Sequence, residues 1–156
     1  MKDRTCSRWA CLGFAVSMFI LSRQAEAALG GTSASIASDC TALSAVHRAT
    51  TVRGAYTVQV LHSDSTTVRE YVSSSGVVFA VAWSGRVHPD LTTLLGSYAG
   101  EYQAALQQTS RIRGLRRQQV QSDRIVVEKW GHMRNLQGKA YVPALIPSGV
   151  TNDEIK

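Results

Sequence analysis

The chain has 156 residues, 44% of them apolar, with 17 Lys and Arg against 11 Asp and Glu. That length suits one domain with a modest hydrophobic core, and the mild basic excess permits anionic partners without demanding them. Neither an internal repeat nor a low-complexity block is present, which excludes solenoids and arrays.

Residues 1–9 carry Lys2, Arg4 and Arg8, residues 10–21 read ACLGFAVSMFIL, and SRQAEA follows. A basic start, an apolar run shorter than the roughly 20 residues of a membrane span, and Ala25 and Ala27 around Glu26 form a secretory signal peptide pattern. Cleavage is expected between Ala27 and Ala28, giving a signal peptide at 1–27 and one domain at 28–156, exported to the periplasm or beyond. Cys6 and Cys11 leave with the leader, so Cys40 would remain alone and no intrachain disulfide could form.

Within 28–156, Ile36, Cys40, Leu43 and Val46 fall on one face of a short helix. YTVQVL (56–61) and TTVREYV (66–72) alternate as half-buried strands, with HSDS as a turn between them. SSSG, ending at Gly76, closes a second hairpin. VVFAVAW (77–83) is apolar on both faces, as a central strand is. Simple alternation puts Val77, Phe79, Val81 and Trp83 on a bulky side and Val78, Ala80 and Ala82 on a small one.

The cover for the bulky side is the next segment, where Leu91, Leu94, Leu95, Tyr98, Tyr102, Ala105 and Leu106 recur at helical spacing behind Asp90 as N-cap. Gly96, Gly100 and Ala104 repeat on the opposite side of that helix, a costly choice that reads either as an unoptimised surface face or as close packing against a second helix or another copy of the chain. LRRQQVQ, IVVEKWGHM and QGKAYVP read as further strands. The tail from 143 onward, with Pro143, Pro147 and Gly149, is an extended strap whose TNDE is a capping-box pattern worth one helical turn. The expected fold is α+β: a three-strand antiparallel meander, two or three more strands, one main helix over the sheet and a short N-terminal helix.

Chemistry-bearing patterns are sparse. Glu70 shares a strand face with Val68 and Val72, so it points inward and needs a partner; an Arg or Lys from a neighbouring strand is the expected one. His47, His62, His88 and His132 lie far apart without ligand spacing, which gives no metal site and implies no cofactor. No G-x-S-x-G elbow or phosphate loop occurs. Arg111, Arg113, Arg116 and Arg117 form the main charge cluster, without the interleaved aromatics of a nucleic-acid site. Its natural targets after export are an anionic envelope polymer, an anionic lipid or an acidic envelope protein.

ALGG, VREYVSSSGVVFAVAWSG, PDLTTLLGSY and GHMRNLQGKAYVPALIPSGV, in that order, make the chain resemble a family of small exported proteobacterial proteins known only as a domain of unknown function. The resemblance implies an envelope or extracellular address and brings no activity, cofactor or catalytic residue. Two classes of function follow: a non-enzymatic envelope binding or assembly-accessory module using the arginines or the Gly96/Gly100 face, and a small hydrolase or ligand-binding enzyme using Glu70 or His132 in a shared cleft.

Overall fold

The computed structural model describes residues 29–109 and 116–156; Ala27, Ala28, Arg111 and Arg113 lie outside them. Within the described residues, seven antiparallel strands form one sheet in the order β1-β2-β3-β4-β7-β6-β5. They are β1 (Val46–Arg53), β2 (Tyr56–His62), β3 (Thr66–Ser73), β4 (Val78–Gly85), β5 (Arg117–Gln121), β6 (Val126–His132) and β7 (Asn135–Tyr141). The first four are a meander. The chain then crosses one face of the sheet, reaches the far edge at β5 and returns by two hairpins until β7 pairs with β4.

Among the described residues the α-helices occupy that one face, the α+β arrangement: α1 (Ile36–Ala42), α2 (Leu91–Leu95) and α3 (Ala99–Gln108). Asp90 caps α2, its Oδ1 accepting the Thr92 amide at 2.9 Å. The expected continuous helix is broken at Gly96, where φ is 48° and the chain makes a 3-10 turn before α3. Gly96 therefore has a backbone reason to be glycine. Gly100 is exposed, and a Cβ there would meet nothing within 4 Å.

β1 is an addition to the expected sheet. The segment VHRATTVR is exposed throughout, so no apolar face imposes an alternation by which it could be recognised. Val46, expected on the face of the first helix, is 61% exposed in this edge strand. The helix stops at Ala42, and Ser44 turns the chain with φ 48°.

The two faces of β4 also differ from simple alternation. Tyr71 pairs with Ala80 but Val72 pairs with Val78, so Phe79 is the extra residue of a β-bulge. Parity shifts there: Val78, Val81 and Trp83 face the helices, whereas Phe79 joins Ala80 and Ala82 on the reverse side. The helix-side core places Leu94, Leu95 and Tyr102 over Val68, Val81 and Trp83. Trp83 lies flat over Gly138, where an added Cβ would come within 2.3 Å of its ring.

The reverse face is closed at one end by the strap, residues 143–156. Ile155 is buried with Tyr56, Tyr71 and Phe79, whose rings meet at centroid distances of 5.8 to 6.1 Å. The Tyr71 hydroxyl donates to the Lys156 carbonyl at 2.8 Å and accepts the Lys156 amide at 2.9 Å. Tyr56 donates to Glu154 Oε2 at 2.9 Å. The Thr151–Glu154 capping box forms as the residue pattern predicts, around a single 3-10 turn.

Candidate functional site

Three places gather polar chemistry. The first is under α1. Glu70, on β3 between Gln59 of β2 and Val81 of β4, points to the helix side and is 1% exposed. Asp39, on α1, comes down over it and is 2% exposed. The expected cationic partner is absent: Glu70 faces a second carboxylate. No group other than the facing acid satisfies either Glu70 oxygen or Asp39 Oδ1.

Two carboxylates buried together cannot both carry charge. Burial, then the neighbouring Asp39 charge, pushes the Glu70 carboxyl up to about 9. Burial likewise raises Asp39, to about 6, against the stabilising hydrogen bond from Glu70. At neutral pH the pair thus holds one proton between its two carboxyls. Burial also pushes up the Cys40 thiol, with the Glu70 and Asp39 charges adding to it. On the solvent side, Gln59 Oε1 accepts from the Thr50 hydroxyl and lies 2.6 Å from His47 Nε2.

The second place is the β6–β7 end. Arg86, Arg116, Arg134 and His132 line an open groove of about 770 Å³ with Met133 and Leu136. Arg116 Nη1 donates to His132 Nδ1 at 2.7 Å. The groove lining contains no carboxylate, and among the described residues none of these arginines is in a salt bridge. Arg134 occupies the left-handed region at φ 66°, a conformation that costs a side-chain-bearing residue about 1–2 kcal/mol. Met133 is 95% exposed, and Val87, next to Arg86, is 52% exposed.

The two described members of the arginine cluster are thus parted by the fold. Arg116 joins this groove, while Arg117 turns away to bind Glu128 at 2.7 Å. Arg86 and Arg134, scattered in the chain, join Arg116 there; the signal for Arg134 was GHMR, where Gly131, at φ 135°, permits the hairpin. Glu70 and His132 do not share a cleft. Their strands are three pairings apart, about 14 Å at the usual strand spacing; Glu70 is sealed beneath α1 and His132 is exposed.

The third place is the part of the reverse face that the strap leaves open. It is a groove of about 1020 Å³ lined by Arg53, Val60, Arg69, Ser84, Trp130 and Gln137, with Tyr56, Tyr71 and the strap at one end.

Among the described residues, no group of three or more His, Cys, Asp or Glu side chains could hold a metal ion, and no helix is long and apolar enough to cross a membrane. What these features define is an α+β sheet protein with one polar groove at the β6–β7 end, another on its reverse face, and a sealed acid pair in its core. The chain belongs to the family described as protein of unknown function (DUF2844), whose model matches residues 25–155. No curated protein and no solved structure matches it.

Proposed function

We propose that this is an exported, non-enzymatic envelope module that docks on an anionic lipid surface through Arg86, Arg116, Arg134 and His132. The observation that carries the reading is the convergence of three arginines in a groove with no acid in its lining. Two features support it. Arg134 keeps a conformation that glycine would adopt without strain, and Met133 and Val87 place exposed apolar groups beside the charges, the pairing of basic and apolar groups that binds a headgroup boundary. Export rests on the leader pattern of residues 1–27. The hydrolase alternative loses the shared cleft of Glu70 and His132 on which it depended.

Flotation with phosphatidylglycerol vesicles, against phosphatidylcholine controls, tests the docking surface. Each arginine near such a surface contributes about 1 kcal/mol, so Arg86→Ser, Arg116→Ser and Arg134→Ser together are expected to weaken partitioning about a hundredfold. Equal binding to both vesicle types, or unchanged binding by the triple variant, refutes the reading.

A further inference from the structure

The open half of the reverse sheet face combines features that the lipid-docking reading does not use. The cross-strand register lays them out in rows. In one row Ser84 of β4 stands opposite Gln137 of β7, and Gln137 opposite Trp130 of β6. In the next row Val60 of β2 faces Arg69 of β3 and Arg69 faces Ala82 of β4, and the row continues to Lys139 of β7, which donates to the Asn152 carbonyl, and to Glu128 of β6, which is paired with Arg117. Small Ala82 and Ser84 leave a trough beside the Arg69 guanidinium, with Gln137 of β7 between it and the half-buried Trp130 indole. The Trp130 ring is held in place: its Nε1 donates to Gln137 Oε1 at 3.2 Å, and Gln137 Nε2 donates to Asn135 Oδ1 at 3.0 Å. A fixed aromatic surface on an unroofed sheet face is the form a stacking platform takes.

Charge in the groove is divided by position. Asp153 and Glu154 belong to the strap end, and Glu154 is engaged by Tyr56. Arg53 and Arg69 belong to the strands, and among the described residues neither is in a salt bridge. The basic groups thus await a carboxylate. A peptide strand has no ladder to join here, because the floor is a sheet face whose backbone groups are already paired between β3, β4, β7 and β6. A lipid chain would meet Arg69, Ser84 and Gln137 rather than a continuous apolar wall. A pyranose ring fits both demands, with one C–H face to lie on an indole and a rim of hydroxyls for Ser84 and Gln137.

We propose that this groove binds an acidic saccharide, its ring stacked on Trp130 and its carboxylate paired with Arg69. The site is separate from the arginine groove at the β6–β7 end, so either can fail alone. Titration calorimetry of the purified protein with trigalacturonate and with an alginate tetrasaccharide, against maltotriose and inorganic phosphate, provides the test. Both acidic oligosaccharides are expected to bind more tightly than maltotriose. Arg69→Ser is expected to weaken them at least about tenfold, as loss of a charge-assisted hydrogen bond does, while leaving maltotriose unchanged. Trp130→Ala is expected to weaken all three sugars, and the Arg86/Arg116/Arg134 serine variant to keep saccharide binding within about twofold. A melting curve for each variant confirms that it is folded; Trp130 and Arg69 lie on the open face, outside both core clusters. Absence of binding by both acidic oligosaccharides overturns the proposal. So does binding that Arg69→Ser and Trp130→Ala leave intact, or binding by phosphate alone that the triple variant removes.

Discussion

Replacing Glu70 with glutamine should stabilise this protein at neutral pH, by an amount that depends on pH in a defined way. In the unfolded chain Glu70 titrates near 4.5; in the fold, burial and Asp39 push it up to about 9. At pH 7 the folded state therefore binds a proton that the unfolded state has released. Holding it costs about 1.4 kcal/mol per pH unit above the unfolded value, or roughly 3 kcal/mol at pH 7. The sign follows from the proton balance: for an acid with a raised folded pKa, stability is undiminished below pH 4.5 and is lost as pH rises toward 9. Asp39 adds a smaller loss between its ordinary 3.8 and about 6.

Glutamine keeps the shape and supplies a permanent donor to Asp39 without the proton cost. The expected outcome of Glu70→Gln is a gain of about 2–3 kcal/mol at pH 7, or about 10 °C in melting temperature for a domain of this size, shrinking to near zero at pH 4.5. Urea unfolding followed by circular dichroism at intervals from pH 4.5 to 8.5 measures it. A wild-type stability that does not fall across that range, or a variant whose advantage is the same at both ends, refutes the shared-proton pair. Asp39→Leu serves as a second probe, because it removes the other acid and should bring Glu70 back toward an isolated buried carboxyl.

Gly138→Ala should destabilise by about 3 kcal/mol, since the added Cβ would lie within 2.3 Å of the Trp83 ring and 2.7 Å of the Glu128 backbone oxygen; thermal melting reads this directly. Arg134→Gly should do the opposite, raising stability by about 1 kcal/mol by relieving the left-handed strain while lowering partitioning onto phosphatidylglycerol vesicles. A variant that is both more stable and still fully bound would remove Arg134 from the docking surface. Phe79→Ala should cost about 3–5 kcal/mol as a buried aromatic truncation. It should also expose the strap to limited proteolysis near Ile155, because Phe79 packs on the strap side; release of α2 or α3 instead would contradict the bulge.

Where burial imposes a period, the pattern of residues predicts the structure well. Six strands, the capped start of α2 and the terminal capping box stand where alternation, helical spacing and cap chemistry put them. β1 escaped because it packs on neither face, and the helix break escaped because Gly96 also fits a pattern of small residues on a helix surface. The inversion of Phe79 has a different origin. A bulge adds one residue to the chain without changing its composition, so VVFAVAW reads the same whether Phe79 faces the helices or the strap.

The acid pair marks the same boundary between local and tertiary information. Glu70 was visible as a carboxylate on an apolar strand face, and the need for a partner was a sound deduction. Its partner lies thirty-one positions earlier, on the same helix as Cys40, and carries the same sign. Opposite charges in strand register can be sought by spacing, but two acids that share a proton have no spacing rule, since only their common burial makes the pairing favourable. The arginine groove is the surface counterpart. Arg86 and Arg134 are ordinary solvent-facing residues in the chain, and they become a site because β4 and β6 end, and β5 and β7 begin, at the same end of the sheet, bringing three guanidinium groups together in a groove with no carboxylate in its lining.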